Sequence, residues 1–311
     1  MSKTAVIAIG GNSLIVDNRI AMEDQKKAVE ETCYYVAKMI EKGWNVVITH
    51  GNGPQVGFLL RRIELASNEL PLIPLDYIGA DTQGAIGYMI QQSLTNQLKK
   101  MGINKKCVTV VTQVKVDPQD PAFQKPTKPI GSFMSYEEAK KNEKEKGWTV
   151  VEDAGRGWRR VVPSPYPQEI IEREAIKALI DKGFIVTAVG GGGIPVIEDG
   201  DGLKGIAAVI DKDYASSLLA NSIDADLFII STAVDKVCLN YGKENQKELD
   251  HLTLAEAKQY TQEGHFAAGS MGPKINAIIS YLEKGGKEAI ITSPGKLAEA
   301  LEGKNGTKII N

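Results

Sequence analysis

The chain alternates short apolar runs with stretches of helical spacing. Thr4–Ile9 (T-A-V-I-A-I) reads as a buried strand, and residues 23–42 follow with an apolar face at Ala28, Cys33, Val36, Ala37 and Ile40, stopped by Gly43. Residues 45–49 give a second strand, and Pro54 opens a helical stretch over 55–66 at its first position. The spacing predicts a further helix over 79–100, rich in Gly and Ala, whose small residues with Tyr88 and Met89 suit a subunit interface. A strand over 106–112 and a helix over 168–182, ended by Gly183, lead to the apolar run that precedes four consecutive glycines, 190–193. Pro195, the turn signal Asp199-Gly200-Asp201-Gly202 and the apolar run 206–210 predict a hairpin, and Asp211 then stands as N-cap of a helix over 213–223. Leu227–Ser231 and Glu288–Thr292 are strands, with helices over 254–263, 274–284 (Pro273 at its first position) and 295–302. Strands alternating with helices predict a three-layer α/β protein on a mostly parallel sheet.

One segment breaks the alternation. Seven of the thirteen prolines lie from Pro118 to Pro167, together with two of the three tryptophans and the cations Lys125, Lys128, Arg156, Arg159 and Arg160. Residues 117–163 therefore read as an inserted subdomain, stiffened by proline and bearing a basic face.

Composition excludes several classes. The 311 residues carry a formal net charge of −2, which argues against a nucleic-acid-binding surface as the main business. Cys33, Cys107 and Cys238 form no C-x-x-C, and His50, His251 and His265 share no metal-ligand spacing, so neither a disulfide framework nor a zinc site is expected. No apolar run is long enough for a membrane span or a signal peptide, so a cytoplasmic protein is expected.

Candidate chemistry sits in four glycine loops at strand ends: 10–13, 51–57, 190–193 and 269–274. Each alone is a tight turn, but four in one chain, three of them on strands from different parts of the sequence, point to a shared anion site built from backbone N–H groups. The pattern is neither a dinucleotide fingerprint nor a Walker loop: 51–57 departs from G-x-G-x-x-G, and no G-x-x-x-x-G-K-[ST] occurs. Lys212 and Lys274 each fall in the first turn of an expected helix, where a cation opposes the macrodipole unless an anion lies between. Asp213 is placed to hold a lysine ammonium, the positioned charge that phosphoryl transfer needs. Lys128, between Pro126 and Pro129, is a third candidate cation, and His50 reads as a packing residue rather than a base.

Longer blocks carry a resemblance. Ile7-Ala8-Ile9-Gly10-Gly11-Asn12, Gly51-Asn52-Gly53-Pro54-Gln55-Val56-Gly57, Pro126-Thr127-Lys128-Pro129-Ile130-Gly131, Glu152-Asp153-Ala154-Gly155-Arg156-Gly157-Trp158-Arg159, Val161-Val162-Pro163-Ser164-Pro165, 190–196, Val209-Ile210-Asp211-Lys212-Asp213 and 264–274 (G-H-F-A-A-G-S-M-G-P-K) resemble the carbamate kinases of the amino-acid kinase superfamily, in order along the whole chain. The resemblance implies a single domain over 1–311, an α/β/α sandwich around an eight-stranded, mainly parallel sheet with a small protruding lid. It implies an N-terminal lobe over 1–216 holding the carbamoyl group, the lid at 117–163 and a nucleotide-binding lobe over 217–311. The implied reaction is ATP + carbamate = ADP + carbamoyl phosphate, run mainly toward ATP in the arginine deiminase pathway, with magnesium on the phosphates and no protein metal ligand.

By the same resemblance Gly10, Gly11 and Asn12 contact the transferring phosphoryl group, and Gly51, Asn52 and Gly53 the carbamate. Lys128, Lys212, Asp213 and Lys274 form the catalytic set, with Lys128 reaching in from the lid. Thr232, Ala233, Val234, Asp235, Val237, Tyr241, Met271 and Gly272, with Lys212 and Lys274, bind nucleotide. The implied partners are ATP/ADP, carbamate/carbamoyl phosphate and a second copy of the chain, with no nucleic acid and no membrane. A kinase of the same superfamily acting on a larger acid, and a non-catalytic nucleotide sensor, are the alternatives.

Overall fold

A computed structural model describes residues 2–10, 21–153, 155–267 and 269–311. Its centre is an eight-stranded sheet, in the order His251–Thr253, Thr307–Ile310, Glu288–Thr292, Leu227–Ser231, Thr4–Ile9, Asn45–His50, Ile185–Thr187 and Cys107–Thr109. Every neighbouring pair is parallel except Glu288–Thr292 with Thr307–Ile310. The expected α/β sandwich on a mainly parallel sheet is what the chain forms.

Alternation along each strand builds the two outer layers. Val6, Ala8, Val47, Phe228 and Ile230 face one core, against the helices Arg173–Asp181, Lys212–Ser222 and Met271–Glu283. Ala5, Ile7, Ile9, Val46, Ile48, Leu227 and Ile229 face the other, against Met22–Glu41 and Leu75–Lys100. Central strands buried on both faces must be apolar at successive positions, which is the run that marked them in the sequence.

Parallel register decides where the loops emerge. Ile9 lies level with His50 on one side and Ser231 on the other, so Gly10, Gly51 and Thr232 leave the sheet at one edge. Ile48 is level with Thr187, which brings the glycines 190–192, folded as a short 3-10 turn, to the same edge.

Three smaller sheets lie outside this frame among the described residues; the smallest joins Val237–Leu239 to Lys247–Leu249, and two are larger. One pairs Gly202–Gly205, Ile194–Asp199, Gln113–Val116 and Pro167–Ile170. The other pairs Lys128–Met134, Trp158–Val162 and Thr149–Glu152 beside the helix Tyr136–Lys146. That helix starts on a capping box from Ser135 and Glu138 and ends on Gly147, whose φ of 66° suits glycine.

Several expected elements differ. Residues 167–170 form a strand and the helix begins only at Arg173, because residues 113–116 offer a partner ladder that outweighs local helical spacing. The expected strand 106–112 is shortened to Cys107–Thr109 in the main sheet, and an unexpected strand, Gln113–Val116, follows it in the second. The hairpin turns at Gly200 (φ 61°) as expected, but Gly202–Gly205 pairs with Ile194–Asp199, and 206–210 is irregular chain that buries Ala208 and Ile210. A two-residue turn sets that register. The helices expected at 79–100 and 274–284 begin earlier, at Leu75 and Met271.

Candidate functional site

The sheet edge carries two adjoining cavities. The smaller, about 520 Å³, is lined by Gly51, Asn52, Gly53, Lys128, Gly191, Asp211, Lys212, Asp213 and Lys274, among others. Starts of three helices converge on it: Gly53–Ala66, Lys212–Ser222 and Met271–Glu283. Their free N–H groups and dipoles favour an anion there.

The walls of this cavity are fixed by buried polar contacts. Asn52 stands at the N-cap position but makes no cap bond; its Nδ2 donates instead to Thr82 Oγ1 at 2.8 Å, and Thr82 Oγ1 donates to the Gly79 carbonyl at 2.8 Å. Gln83, next along the same helix, donates from Nε2 to the carbonyls of Gly190 (2.9 Å) and Thr112 (3.1 Å) and accepts from the Thr112 amide (2.7 Å). Val189, just before the glycines, sits at φ 54°, a costly conformation for a β-branched residue, and its amide donates to Thr112 Oγ1 at 3.0 Å. The glycines are a packing requirement: a Cβ on Gly191 would lie 2.1 Å from Asn52 Nδ2, and one on Gly190 2.5 Å from His50 Nε2. Burial pushes the His50 imidazole down to about 4, with Lys212 adding to the shift and a hydrogen bond to the Gly51 carbonyl opposing it, so the ring is neutral at pH 7. Thr49 and Ser216 then tie strand to helix, since Ser216 Oγ donates to the Lys212 carbonyl at 2.6 Å and so accepts from Thr49 at 2.6 Å.

Where the cavities meet, the charges are paired. Asp213 accepts from Lys212 Nζ on Oδ1 and from Lys274 Nζ on Oδ2 at 3.0 Å. Burial opposes ionisation of Asp213, but the two ammonium groups outweigh it and hold the carboxyl well below the usual carboxylate range. Asp211 caps its helix as expected, its Oδ1 accepting from the Asp213 amide at 2.9 Å, while its Oδ2 accepts from Lys128 Nζ at 2.8 Å.

The larger cavity, about 720 Å³, is lined by Gly10, Thr232, Ala233, Val234, Tyr241 and Met271, among others. It shares Lys212, Lys274, Gly269 and Ser270 with the smaller one, so the two lysines stand between the two spaces.

The sequence model of the amino acid kinase family matches residues 3–293. The chain belongs to that family. Within it, the chain is 52% identical to the carbamate kinase of Thermococcus kodakarensis over 312 residues, 99% of each chain. It is also 52% identical over 317 residues to the carbamate kinase-like protein YahI of Escherichia coli, covering 100% of this chain and 99% of that one. A solved carbamate kinase from Giardia lamblia bound to AMP-PNP superposes with a TM-score of 0.94 at 44% identity, covering 99% of this chain and 98% of that one.

Of the residues singled out in the sequence, the fold brings Gly51, Asn52, Gly53, Lys128, Lys212, Asp213 and Lys274 to the smaller cavity and Gly10, Thr232, Ala233, Val234, Tyr241 and Met271 to the larger. Gly11 and Asn12 lie outside the described residues. Asp235 is exposed, Val237 is core and Gly272 packs against the Ala267 carbonyl; none of the three lines either cavity. Sequence reasoning passed over Thr82 and Gln83, which look like ordinary helix residues, and took Asp211 as a cap alone. Arg159, taken only as part of a basic face, also reaches the smaller cavity.

Proposed function

We propose that this chain is a carbamate kinase, transferring a phosphoryl group reversibly between carbamoyl phosphate and ADP. Relatives at equal identity bear the names carbamate kinase and carbamate kinase-like protein, so identity alone does not assign the substrate. The observation that carries the reading is the junction: two cavities share two lysines anchored on one buried carboxylate. Carbamoyl phosphate takes the smaller cavity, its small planar carbamoyl end against Asn52 and backbone amides. ADP takes the larger, with its β-phosphate toward Lys212 and Lys274.

In the ATP-forming direction a β-phosphate oxygen attacks the phosphorus in line. The P–O bond to carbamate breaks, and carbamate leaves with the electron pair, so no proton moves and no general base is required. Neutral, buried His50 is consistent with that. Lys212 and Lys274 offset the repulsion of two anions, and Lys128 adds charge from beside Asp211. Magnesium would come with the nucleotide and offset the charge of its phosphates; both oxygens of Asp213 and of Asp211 already accept hydrogen bonds from the protein.

The finer reading divides the domain into lobes over 1–216 and 217–311, with residues 117–163 as a lid that keeps water from carbamoyl phosphate. It places the enzyme in the cytosol at the ATP-yielding end of arginine breakdown, in keeping with three free cysteines and no helix among the described residues long and apolar enough to cross a membrane. A homodimer through the exposed face of Leu75–Lys100 is supported by Tyr77 and Tyr88 there, beside exposed Leu70, Leu72 and Ile73.

The test is a coupled assay that supplies carbamoyl phosphate and ADP, with acetylglutamate or aspartate plus ATP in parallel arms. ATP formation is expected, and Lys212→Ala and Lys274→Ala are each expected to lose at least roughly a hundredfold in kcat while folding normally. Turnover on an amino acid without ATP from carbamoyl phosphate overturns the assignment.

A further inference from the structure

Asp211 divides its two carboxylate oxygens between two structures. Oδ1 starts the helix that carries Lys212 and Asp213 by accepting the Asp213 amide, and Oδ2 holds the ammonium of Lys128, 83 positions away in sequence. Neither partner is a free surface group, with side-chain exposures of 19% for Asp211 and 33% for Lys128. Both line the smaller cavity: Asp211 from the N-cap of Lys212–Ser222, Lys128 from the first residue of Lys128–Met134.

A lysine has a flexible four-carbon stem, and its charge is useful to a transition state only if it is already in place. Lys212 and Lys274 are placed by Asp213; Lys128 has Asp211 as its carboxylate partner. An ammonium has three N–H donors, so the bond to Asp211 leaves two for a substrate anion. Pro129 restricts the backbone next to Lys128, and among the described residues Asp211 alone bonds the end of the side chain.

We propose that Asp211 is a positioning residue for phosphoryl transfer: it holds Lys128 in the lining of the smaller cavity and ties the segment 117–163 to the helix start that bears Lys212 and Asp213. This rests on the carbamate kinase reading. The effect of Asp211 passes through Lys128.

Asp211→Asn separates the two functions, because an asparagine caps a helix as well as an aspartate but offers no charge to the lysine. The experiment is a double-mutant cycle of Asp211→Asn and Lys128→Ala, read in two ways: the rate of ATP formation from carbamoyl phosphate, and the rate at which chymotrypsin cuts within 117–163 in the absence of substrates. Asp211→Asn is expected to lower kcat/KM for carbamoyl phosphate roughly tenfold, with the double variant no slower than Lys128→Ala alone. Cleavage is expected to accelerate to the same extent in all three variants. Losses that multiply would show that Asp211 acts through the helix and overturn the proposal, as would an Asp211→Asn enzyme with wild-type rate and wild-type cleavage. If Asp211→Asn does not fold, Asp211→Ser keeps a capping oxygen and is read by the same cycle. A wild-type protein that makes no ATP sinks the functional reading alone, because the cleavage arm still decides whether Asp211 holds Lys128.

Discussion

Gly191 lies where an added methyl group has nowhere to go. At φ 67° it occupies the left-handed region, and its Cβ would meet Asn52 Nδ2 at 2.1 Å and Asn52 Cγ at 2.5 Å. In Gly191→Ala the Asn52 amide must therefore move by more than 1 Å to restore ordinary contact. That movement breaks its hydrogen bond to Thr82, inside a pocket where Asn52 is nearly fully buried. The backbone strain costs about 1–2 kcal/mol and the lost buried hydrogen bond about 1 kcal/mol more, so unfolding should show a loss of about 2–3 kcal/mol. The kinetic effect is larger in proportion, because a shift of about 1 Å in a positioning group costs roughly a hundredfold. It should also be one-sided: Gly191 lines the smaller cavity and not the larger, so kcat/KM for carbamoyl phosphate falls while KM for ADP holds. Gly200→Ala is the control. Its φ of 61° imposes the same strain, but nothing lies within 4 Å of its Cβ, so it should lose about 1–2 kcal/mol and no activity. Denaturant unfolding and initial rates under saturation with each substrate read both quantities. A Gly191→Ala enzyme with unchanged kcat/KM for carbamoyl phosphate refutes the placing of that substrate against Asn52.

His50 makes stability depend on pH. Its folded value near 4 lies below the ordinary 6.5, so between those limits the unfolded chain binds the extra proton; stability is full above about 6.5 and falls as pH drops through the window, by on the order of 3 kcal/mol. His50→Gln should flatten that slope in unfolding curves taken from pH 7 to pH 4; an unchanged slope assigns it elsewhere. Gln83→Leu strips three buried hydrogen bonds, one to the Gly190 carbonyl and two to the Thr112 backbone, and should cost about 2–4 kcal/mol and raise KM for carbamoyl phosphate. Loss of stability with an unchanged KM would confine Gln83 to the core.

Elements set by local pattern were legible in the sequence. Thr4–Ile9, Leu227–Ser231 and Glu288–Thr292 stand where their unbroken apolar runs placed them, and Asp211 caps the periodic stretch that follows it. Elements set by a distant partner were not. Pro167–Ile170 carries no period-2 pattern of its own and is a strand because Gln113–Val116 pairs with it. The three-residue strands Cys107–Thr109 and Ile185–Thr187 are bounded by register with their neighbours, not by their ends in sequence. The candidate site divides the same way. Glycine loops and first-turn lysines announce themselves, whereas Thr82 and Gln83 act only because the helix that bears them crosses behind the pocket, which no local spacing encodes.

Lys212 beside Asp213 shows how far such a local reading reaches. A neighbouring acid and base at a helix start are ordinarily a solvated pair worth under about 1 kcal/mol. Here the side-chain exposures are 4% for Asp213, 13% for Lys212 and 16% for Lys274, and one carboxylate serves two ammonium groups. Burying ions costs several kcal/mol each, and pairing returns that only where every charge is matched. The set of three is left with one unmatched positive charge, and the Lys128–Asp211 pair beside it is neutral and adds no compensation. Three helix starts contribute further positive potential to the same space. An arrangement selected for stability alone would have paired the second lysine or moved it to solvent. The excess makes sense only with an anion present, and it lies at the junction of the two cavities, where the transferring phosphoryl group would carry its negative charge.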